Sequence, residues 1–295
     1  MTNLKYRIGI DESVKLLNIA KSNGIKIIFD QYRCFYHNVE LWYVWLWNYG
    51  ITKITVVMNM DNVEKNDLCI VIGHLFQKCP AKKYIVIQTE DILQKKYIFE
   101  KLCKKSTAIW DYSDNNIKYI EQHYGIKNSV LIPITLSDNN KLYKNIMFNT
   151  DFNSRDIDII IPLHQKRRTI LKKQLTSMGL SCVSVWRDKL PKMVNKCKIF
   201  LNVHRDSPIA SLEIHRIMDV RNVPIVLISE DSLDKDFQKK LDKVPFVNYD
   251  DICKLCYEIC TNAVVWQKYV NEQIEMWKKF DSEISLQNML EVTLK

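Results

Sequence analysis

The stretch "IFLNVHRDSPIASLEIHRIMDVRNVPIVLISED", residues 199–231, reads as strand, turn, helix and strand in that order. Residues 199–204 form a short apolar run that ends on His204, and residues 224–228 form a second run that closes on Ser229 and Glu230. Between them Glu213 and Arg216 stand three apart, a spacing that places both on one face of a helix. Two short apolar strands joined by a helix predict neighbouring parallel strands, the repeating unit of an α/β sheet.

The same rhythm extends outward in both directions. Upstream, "DIDIIIP" (156–162) reads as a strand, residues 166–179 as a helix, "SCVSVW" (181–186) as a strand and residues 189–198 as a helix. Downstream, "VPFVNY" (244–249) is one more strand, and from Asp250 the pattern is almost wholly helical. The polar stretch 136–156 reads as a linker. Before it come six apolar runs, at 25–30, 51–60, 67–74, 82–91, 106–113 and 129–134. They are continuous rather than alternating, as strands buried on both faces are. Residues 115–125 have helical spacing and end on Gly125, a natural residue for a helix C-terminus. The aromatic run at 35–50, with Trp42, Tyr43, Trp45, Trp47 and Tyr49, is spaced as a helix with a core or interface face. The expected fold class is therefore α/β, with two Rossmann-like domains whose parallel sheets face a cleft. The expected domains are 1–140, 154–275 and a helical tail at 276–295.

Composition limits the function classes. The chain has 295 residues, 47% of them hydrophobic and 26% charged, enough to bury a core. The net charge of +9 favours anionic partners. The excess is spread along the chain and no basic run marks a nucleic-acid arm, so nucleic acid ranks below other anions. No leader is expected and no apolar stretch reaches membrane-spanning length, so the expectation is a cytoplasmic protein without stable membrane insertion. Nine cysteines, an odd number, fit free thiols in a reducing compartment. Cys253, Cys256 and Cys260 repeat at i, i+3 and i+7, the stripe of a packed helix, and no metal site is expected there. The "DID" at 156–158 opens its strand instead of following one, so it is not expected to hold a metal either.

In open α/β sheets ligands sit beyond the carboxyl ends of the strands. In the second half those positions hold His164, Arg167, Arg168, His204, Arg205, Ser229 and Glu230, with Glu213 and Arg216 opening the intervening helix. Cations and helix N-termini hold a diphosphate, and a carboxylate is the usual partner of ribose hydroxyls. A nucleotide or nucleotide sugar needs both at once. The competing reading of Glu213 and Arg216 is a surface ion pair. In the first half the corresponding positions are Asp30, His74, Gln88, Glu90 and Asp111.

The stretch 201–231 resembles a signature of GT-B-type glycosyltransferases found in bacteria and large DNA viruses. They carry Asn-x-His after a strand, Glu-x-x-Arg-Ile on the next helix, and a strand closing on Ser-Glu. The matching residues are Asn202, His204, Glu213, Arg216, Ile217, Ser229 and Glu230. "LHQKRRTILKKQL" (163–175) resembles the first turn of the family's donor domain, "IVIQTED" its Gln-x-Glu strand, and "WDYSDNN" (110–116) its Trp-Asp-Tyr-Ser-x-x-Asn. The likeness covers roughly residues 67–255. It implies sugar transfer from a nucleotide sugar to a hydroxyl of a glycan or glycoprotein, with no cofactor and no required metal. The donor would be held by His164, Arg167, Arg168, His204, Arg205, Glu213, Arg216, Ser229 and Glu230. Arg167, Arg168 and Arg205 would face the leaving diphosphate and Glu213 the ribose. Glu90 or Asp111 would supply the base of an inverting reaction, with Gln88, His74 and Asp30 on the acceptor side. As a surface carboxylate, Glu213 is expected to carry little stability.

Two glycines of the family pattern are missing. Pro162, Leu163 and His164 fill the first donor turn, and Asn222 stands before the strand at 224–228. Phosphate would then be held by side chains and helix termini in place of a glycine nest. Two other functions fit the same fold: a non-catalytic nucleotide- or nucleic-acid-binding protein, and a glycosyltransferase acting on DNA bases, which the positive charge suits.

Overall fold

In a computed structural model, the chain divides after residue 137 into two compact units, the second running to residue 285. The structure describes residues 7–29, 36–72, 76, 78–88, 96–132, 143, 146–162, 166–185, 189–205 and 210–283. Asp30, His74, Glu90 and His164 lie outside the described residues.

The first unit opens with α1 (Arg7–Asn23), a helix the strand-centred reading of the sequence passed over. It buries Ile10, Leu16, Leu17 and Ala20 and approaches the sheet closely at Gly9, where a Cβ would stand 2.4 Å from the Asn128 carbonyl oxygen. Then follow β1 (Ile25–Phe29), α2 (Tyr36–Asn48), β2 (Ile54–Val57), β3 (Leu68–Ile72) and β4 (Lys83–Ile87). The unit continues with α3 (Lys96–Cys103), β5 (Ala108–Asp111), α4 (Asp114–Tyr124) and β6 (Ser129–Leu131). All pairings are parallel, in the order β2-β1-β3-β4-β5-β6. β3 is buried along its whole length, as its unbroken apolar run requires. On α2, Trp42 and Trp45 enter the core, while Trp47 and Tyr43 stay on the surface.

The second unit runs β7 (Ile157–Pro162), α5 (Lys166–Ser177), β8 (Cys182–Val185), α6 (Leu190–Met193), β9 (Cys197–Asn202), α7 (Ile214–Met218), β10 (Val226–Glu230), α8 (Lys235–Lys240) and β11 (Phe246–Val247). Helices α9 (Ile252–Thr261) and α10 (Ala263–Glu283) close it. The helix read at 189–198 is a single turn, because Cys197 already pairs with Ile157 at the start of β9. A tail starting at residue 276 would begin inside α10, which runs unbroken to Glu283. The strand order is β11-β10-β9-β7-β8, all parallel.

Numbered within their own units, both sheets share the doubly wound order 2-1-3-4-5, with one extra edge strand on the first. Each therefore has a switch point, where successive crossovers diverge: β1/β3 in one unit and β7/β9 in the other. The fold is α/β with two doubly wound parallel sheets, as the sequence led us to expect.

One local prediction holds in detail, and a departure from the family pattern is explained. Gly125 ends α4 in the left-handed region with φ 66°, its N–H bonded to the Glu121 carbonyl. Asn222, in the place of the missing glycine, has φ 60°. Asparagine enters that region at lower cost than other non-glycine residues, so the turn keeps the conformation a glycine would take. Cys256 and Cys260 pack in the core of the second unit, and the eight described cysteines are free thiols. Asp158 of the "DID" is ion-paired to Lys198 at 2.7 Å and accepts from the Ser181 backbone at 2.9 Å. No described helix is long and apolar enough to cross a membrane.

Candidate functional site

The carboxyl ends of β7, β9 and β10 bring seven of the sequence-derived residues into one network. Arg167 and Arg168 lie in the first turn of α5, just beyond β7. His204 follows β9, and Ser229 and Glu230 are the last residues of β10. Glu213 is the N-cap residue of α7 and Arg216 lies within that helix.

Glu230, buried to 2% exposure, is held by both guanidinium nitrogens of Arg167, with Nη1 to Oε2 at 3.0 Å and Nη2 to Oε1 at 2.5 Å. Its Oε2 also accepts the backbone N–H of His204 at 2.9 Å. Arg167 in turn lies over the ring of Tyr249, 4.4 Å from its centroid, and the Tyr249 hydroxyl donates to the Arg167 carbonyl at 2.8 Å. A two-point guanidinium–carboxylate bond fixes orientation as well as energy. It ties α5 to the ends of β9 and β10.

Glu213 is the centre of the second half of the network. Its Oε1 accepts from Arg168 Nη2 at 3.2 Å and from Arg216 Nη2 at 3.0 Å, and Arg216 Nη1 bonds Oε2. Arg168 is almost wholly buried and also donates to the carbonyls of Val203 at 2.8 Å and Pro162 at 3.2 Å. Burial, then the neighbouring Arg216, pulls Arg168 down to about 10, which leaves it charged at neutral pH. Arg216 reaches Asn202 Oδ1 at 2.8 Å, and Asn202 Nδ2 donates to Ser229 Oγ at 3.0 Å. The surface-pair reading of Glu213 and Arg216 is thus half right. They do bond each other, but inside a larger cluster in which Glu213 keeps only 25% of its side chain exposed.

That cluster corrects the expectation that Glu213 carries little stability. Removing it would leave buried Arg168 without its carboxylate partner. Losing one member of a buried pair costs about 3–5 kcal/mol, and partial exposure reduces this to roughly 2–3 kcal/mol. Burial alone would raise the Glu213 pKa, but Arg216, Arg168 and His204 together hold it below the ordinary 4.5. A depressed carboxylate contributes stability that is present above its unfolded pKa and is lost as pH falls through the folded one. We expect the melting temperature to fall once pH drops below about 4.5, and Glu213→Gln to flatten that acid limb. A pH series of melting curves on the two proteins checks this, and parallel acid limbs would remove Glu213 from the account.

The remaining sequence-derived residues are placed differently. Arg205 is exposed beside His204. Ser229 is fully buried and its hydroxyl is committed to Asn202 and to the Glu230 carbonyl at 3.0 Å, so it braces the site from within. In the first unit, Asp111 ends β5 fully buried, and its Oδ1 accepts from the Ser113 backbone at 2.8 Å and from Asn116 Nδ2 at 3.2 Å. Gln88 is buried just past β4, with its N–H bonded to the Trp110 carbonyl at 2.8 Å. Sequence reasoning missed Tyr249 as a site residue. The signal was present, since it ends the apolar run 244–249 and therefore falls on the same rim.

The network holds three guanidinium groups against two carboxylates, Glu213 and Glu230. The three guanidinium groups exceed the two carboxylates by one charge, and exposed Arg205 adds another. It sits at the start of α5, whose N-terminus favours an anion. Among the described residues no group of three or more His, Cys, Asp or Glu side chains could hold a metal ion.

This is an α/β site at a topological switch point, in a GT-B-like fold. Comparison with solved structures shows the same fold. An alpha-glucosyltransferase in complex with UDP and a 13-mer DNA containing an HMU base superposes with a TM-score of 0.59 at 10% identity, over 92% of this chain and 99% of that one. T4 phage BGT in complex with UDP and Mn2+ gives a TM-score of 0.52 at 11% identity, over 88% of this chain and 95% of that one. Among curated proteins, an uncharacterized protein of Acanthamoeba polyphaga mimivirus is 24% identical over 196 residues, which is 65% of this chain and 64% of that protein. The chain thus matches somewhat less than two thirds of that relative's length. No family model matches the chain.

Proposed function

We propose that this chain transfers a sugar from a nucleotide-sugar donor to an acceptor hydroxyl. The observation that carries the reading is the Glu213 carboxylate, partly exposed and held between Arg168 and Arg216 beyond the β7/β9 switch point. An acceptor of hydroxyl protons fixed beside a net positive rim fits a ribose joined to a diphosphate. Both superposed structures contain UDP, which makes UDP the first nucleotide to test.

In this reading the second unit binds the donor and the first serves the acceptor. Glu213 takes the ribose, while Arg167, Arg205 and His164 face the diphosphate. Arg168, Arg216, Asn202, Ser229 and Glu230 hold those groups in place. As the sugar leaves, charge grows on the diphosphate, and fixed guanidinium groups and the α5 N-terminus stabilise it there. That assignment gives the protein's own cations the task a bound metal performs elsewhere. Transfer that persists in chelator supports it, and loss of transfer restored by Mn2+ overturns it.

Our first reading of the acceptor is a glycan or glycoprotein hydroxyl. A DNA base is the second reading, favoured by the DNA in one superposed complex and by the net charge of +9. Salt separates the two, because contacts to phosphates make affinity fall steeply with salt concentration. A nucleotide thermal-shift panel tests the donor. A ligand at a hundred times its dissociation constant adds about 2.7 kcal/mol, a readily measured rise in melting temperature. Glu213→Gln should cut UDP affinity by roughly tenfold or more, the scale of a hydrogen bond to a charged group. Unchanged affinity in that variant would sink the assignment.

A further inference from the structure

Two thiols of the first unit meet at the amino ends of neighbouring strands. Cys69 is fully buried in β3, and Cys79, in the turn leading into β4, is half-buried. Cys79 packs against the buried cluster that holds Cys69, Val71, Tyr84 and Val86. The Cys69 S–H donates to the Cys79 sulfur, and so does the Ala81 backbone N–H. A sulfur that receives two hydrogen bonds is favoured in its charged form. Donation by Cys69 therefore holds the Cys79 thiol below the ordinary 9.0, against the opposing effect of burial, and Ala81 adds to it. Cys69 keeps the shared proton and is pushed up. Burial pushes up the other six described cysteines as well.

We propose that Cys79 and Cys69 are a reversible thiol–disulfide pair, in which Cys79 attacks a small-molecule disulfide and Cys69 resolves the adduct. In the first step a bond forms between the Cys79 sulfur and one sulfur of the small disulfide. The S–S bond of that molecule breaks, and its other half leaves as a thiol that takes up the Cys79 proton. In the second step Cys69 attacks the Cys79 sulfur and the bond between the two cysteines closes. The remaining half leaves as a second thiol with the Cys69 proton. Two protein thiols are oxidised and one small disulfide is reduced to two thiols. Only Cys79 has to be reached from solvent, because the second step is internal, so the burial of Cys69 is no obstacle. A partly exposed, low-pKa thiol beside a second cysteine is the arrangement that redox-sensitive thiols share. Ligands of a doubly wound sheet sit at the carboxyl ends of its strands, so this pair at the amino ends stands apart from the nucleotide reading.

The test treats the folded full chain with oxidised glutathione, blocks the remaining thiols after denaturation, and maps tryptic peptides by mass spectrometry without reductant. Trypsin cuts after Lys65, Lys78 and Lys82, so the two cysteines fall on separate peptides, 66–78 and 79–82. These should be recovered joined, lighter by two hydrogens than their sum, and should part on addition of reductant. In Cys69→Ala the resolving thiol is gone, and peptide 79–82 should carry glutathione instead. Alkylation of the native protein by iodoacetamide at neutral pH gives a second readout. Cys182 and Cys253 are half-buried like Cys79 but are pushed up by burial, so Cys79 should react at least about tenfold faster than either. Glutathione on Cys79 of the wild type with Cys69 still free overturns the proposal, because the two sulfurs then do not reach each other. So does a Cys79 that neither glutathione nor iodoacetamide attacks ahead of Cys182 and Cys253.

Discussion

Arg155→Met should lower the melting temperature by roughly 10 °C, with nucleotide affinity of the folded protein unchanged. Arg155 is 3% exposed, and among the described residues no carboxylate forms an ion pair with it. Its guanidinium instead donates to the carbonyls of Val194 and Pro224, both at 2.7 Å, and to those of Cys197 and Asn149. It lies over the ring of Trp266, 4.9 Å from the centroid. One side chain thus joins the segment leading into β7 to the starts of β9 and β10. Burial lowers its pKa to about 10, so the charge stays. Methionine would fill much of the space and leave several buried carbonyls without donors, at about 1–3 kcal/mol each before relaxation. A net loss of about 3–5 kcal/mol follows. Arg155→Lys should fall between, since one ammonium cannot reach four carbonyls spread about a planar fork. A melting temperature within about 2 °C of wild type in Arg155→Met would show that the carbonyls find other donors.

Arg155 also marks where sequence reasoning stops. It lies in the stretch read as a linker, and nothing local distinguishes it from a solvated arginine. Its partners lie 6, 39, 42 and 69 residues away. Features fixed by neighbouring residues were legible: the continuous apolar strands and the Gly125 helix end. The rim residues were legible too, because strand ends in a doubly wound sheet converge on one edge. What joins them was not. Arg168 finds Glu213 across 45 residues and Arg167 finds Glu230 across 63, and no spacing rule encodes such pairs. Helix α1 was missed for a different reason. Its apolar residues are interrupted by Asp11, Glu12 and Lys15, and attention to strands left that weaker pattern unread.

Glu90→Gln should reduce sugar transfer by about a hundredfold or more while UDP affinity holds, the usual scale for a lost general base. Glu90 is outside the described residues, so the argument for it comes from the sequence and from the residue it is weighed against. In the sequence it stands two positions past Gln88, and the resemblance gives it the part of the base in an inverting reaction. The rival, Asp111, is fully buried and engaged. Its Oδ1 holds the Ser113 N–H and the Asn116 amide, and Ser113 caps α4 by accepting from the Asn116 backbone. A carboxylate so placed fixes the β5–α4 turn. Asp111→Ala should therefore cost about 1–3 kcal/mol of stability through the donors it strands. Its transfer rate per folded molecule should fall far less than that of Glu90→Gln. Product configuration decides how the pair is read, since a retaining reaction needs no such base. If the product is inverted and Glu90→Gln transfers at near the wild-type rate, Glu90 is structural. Asp111 would then have to act from a buried position, and Asp111→Asn, which keeps the Oδ1 acceptor for Ser113, would be the variant that abolishes transfer without unfolding the turn.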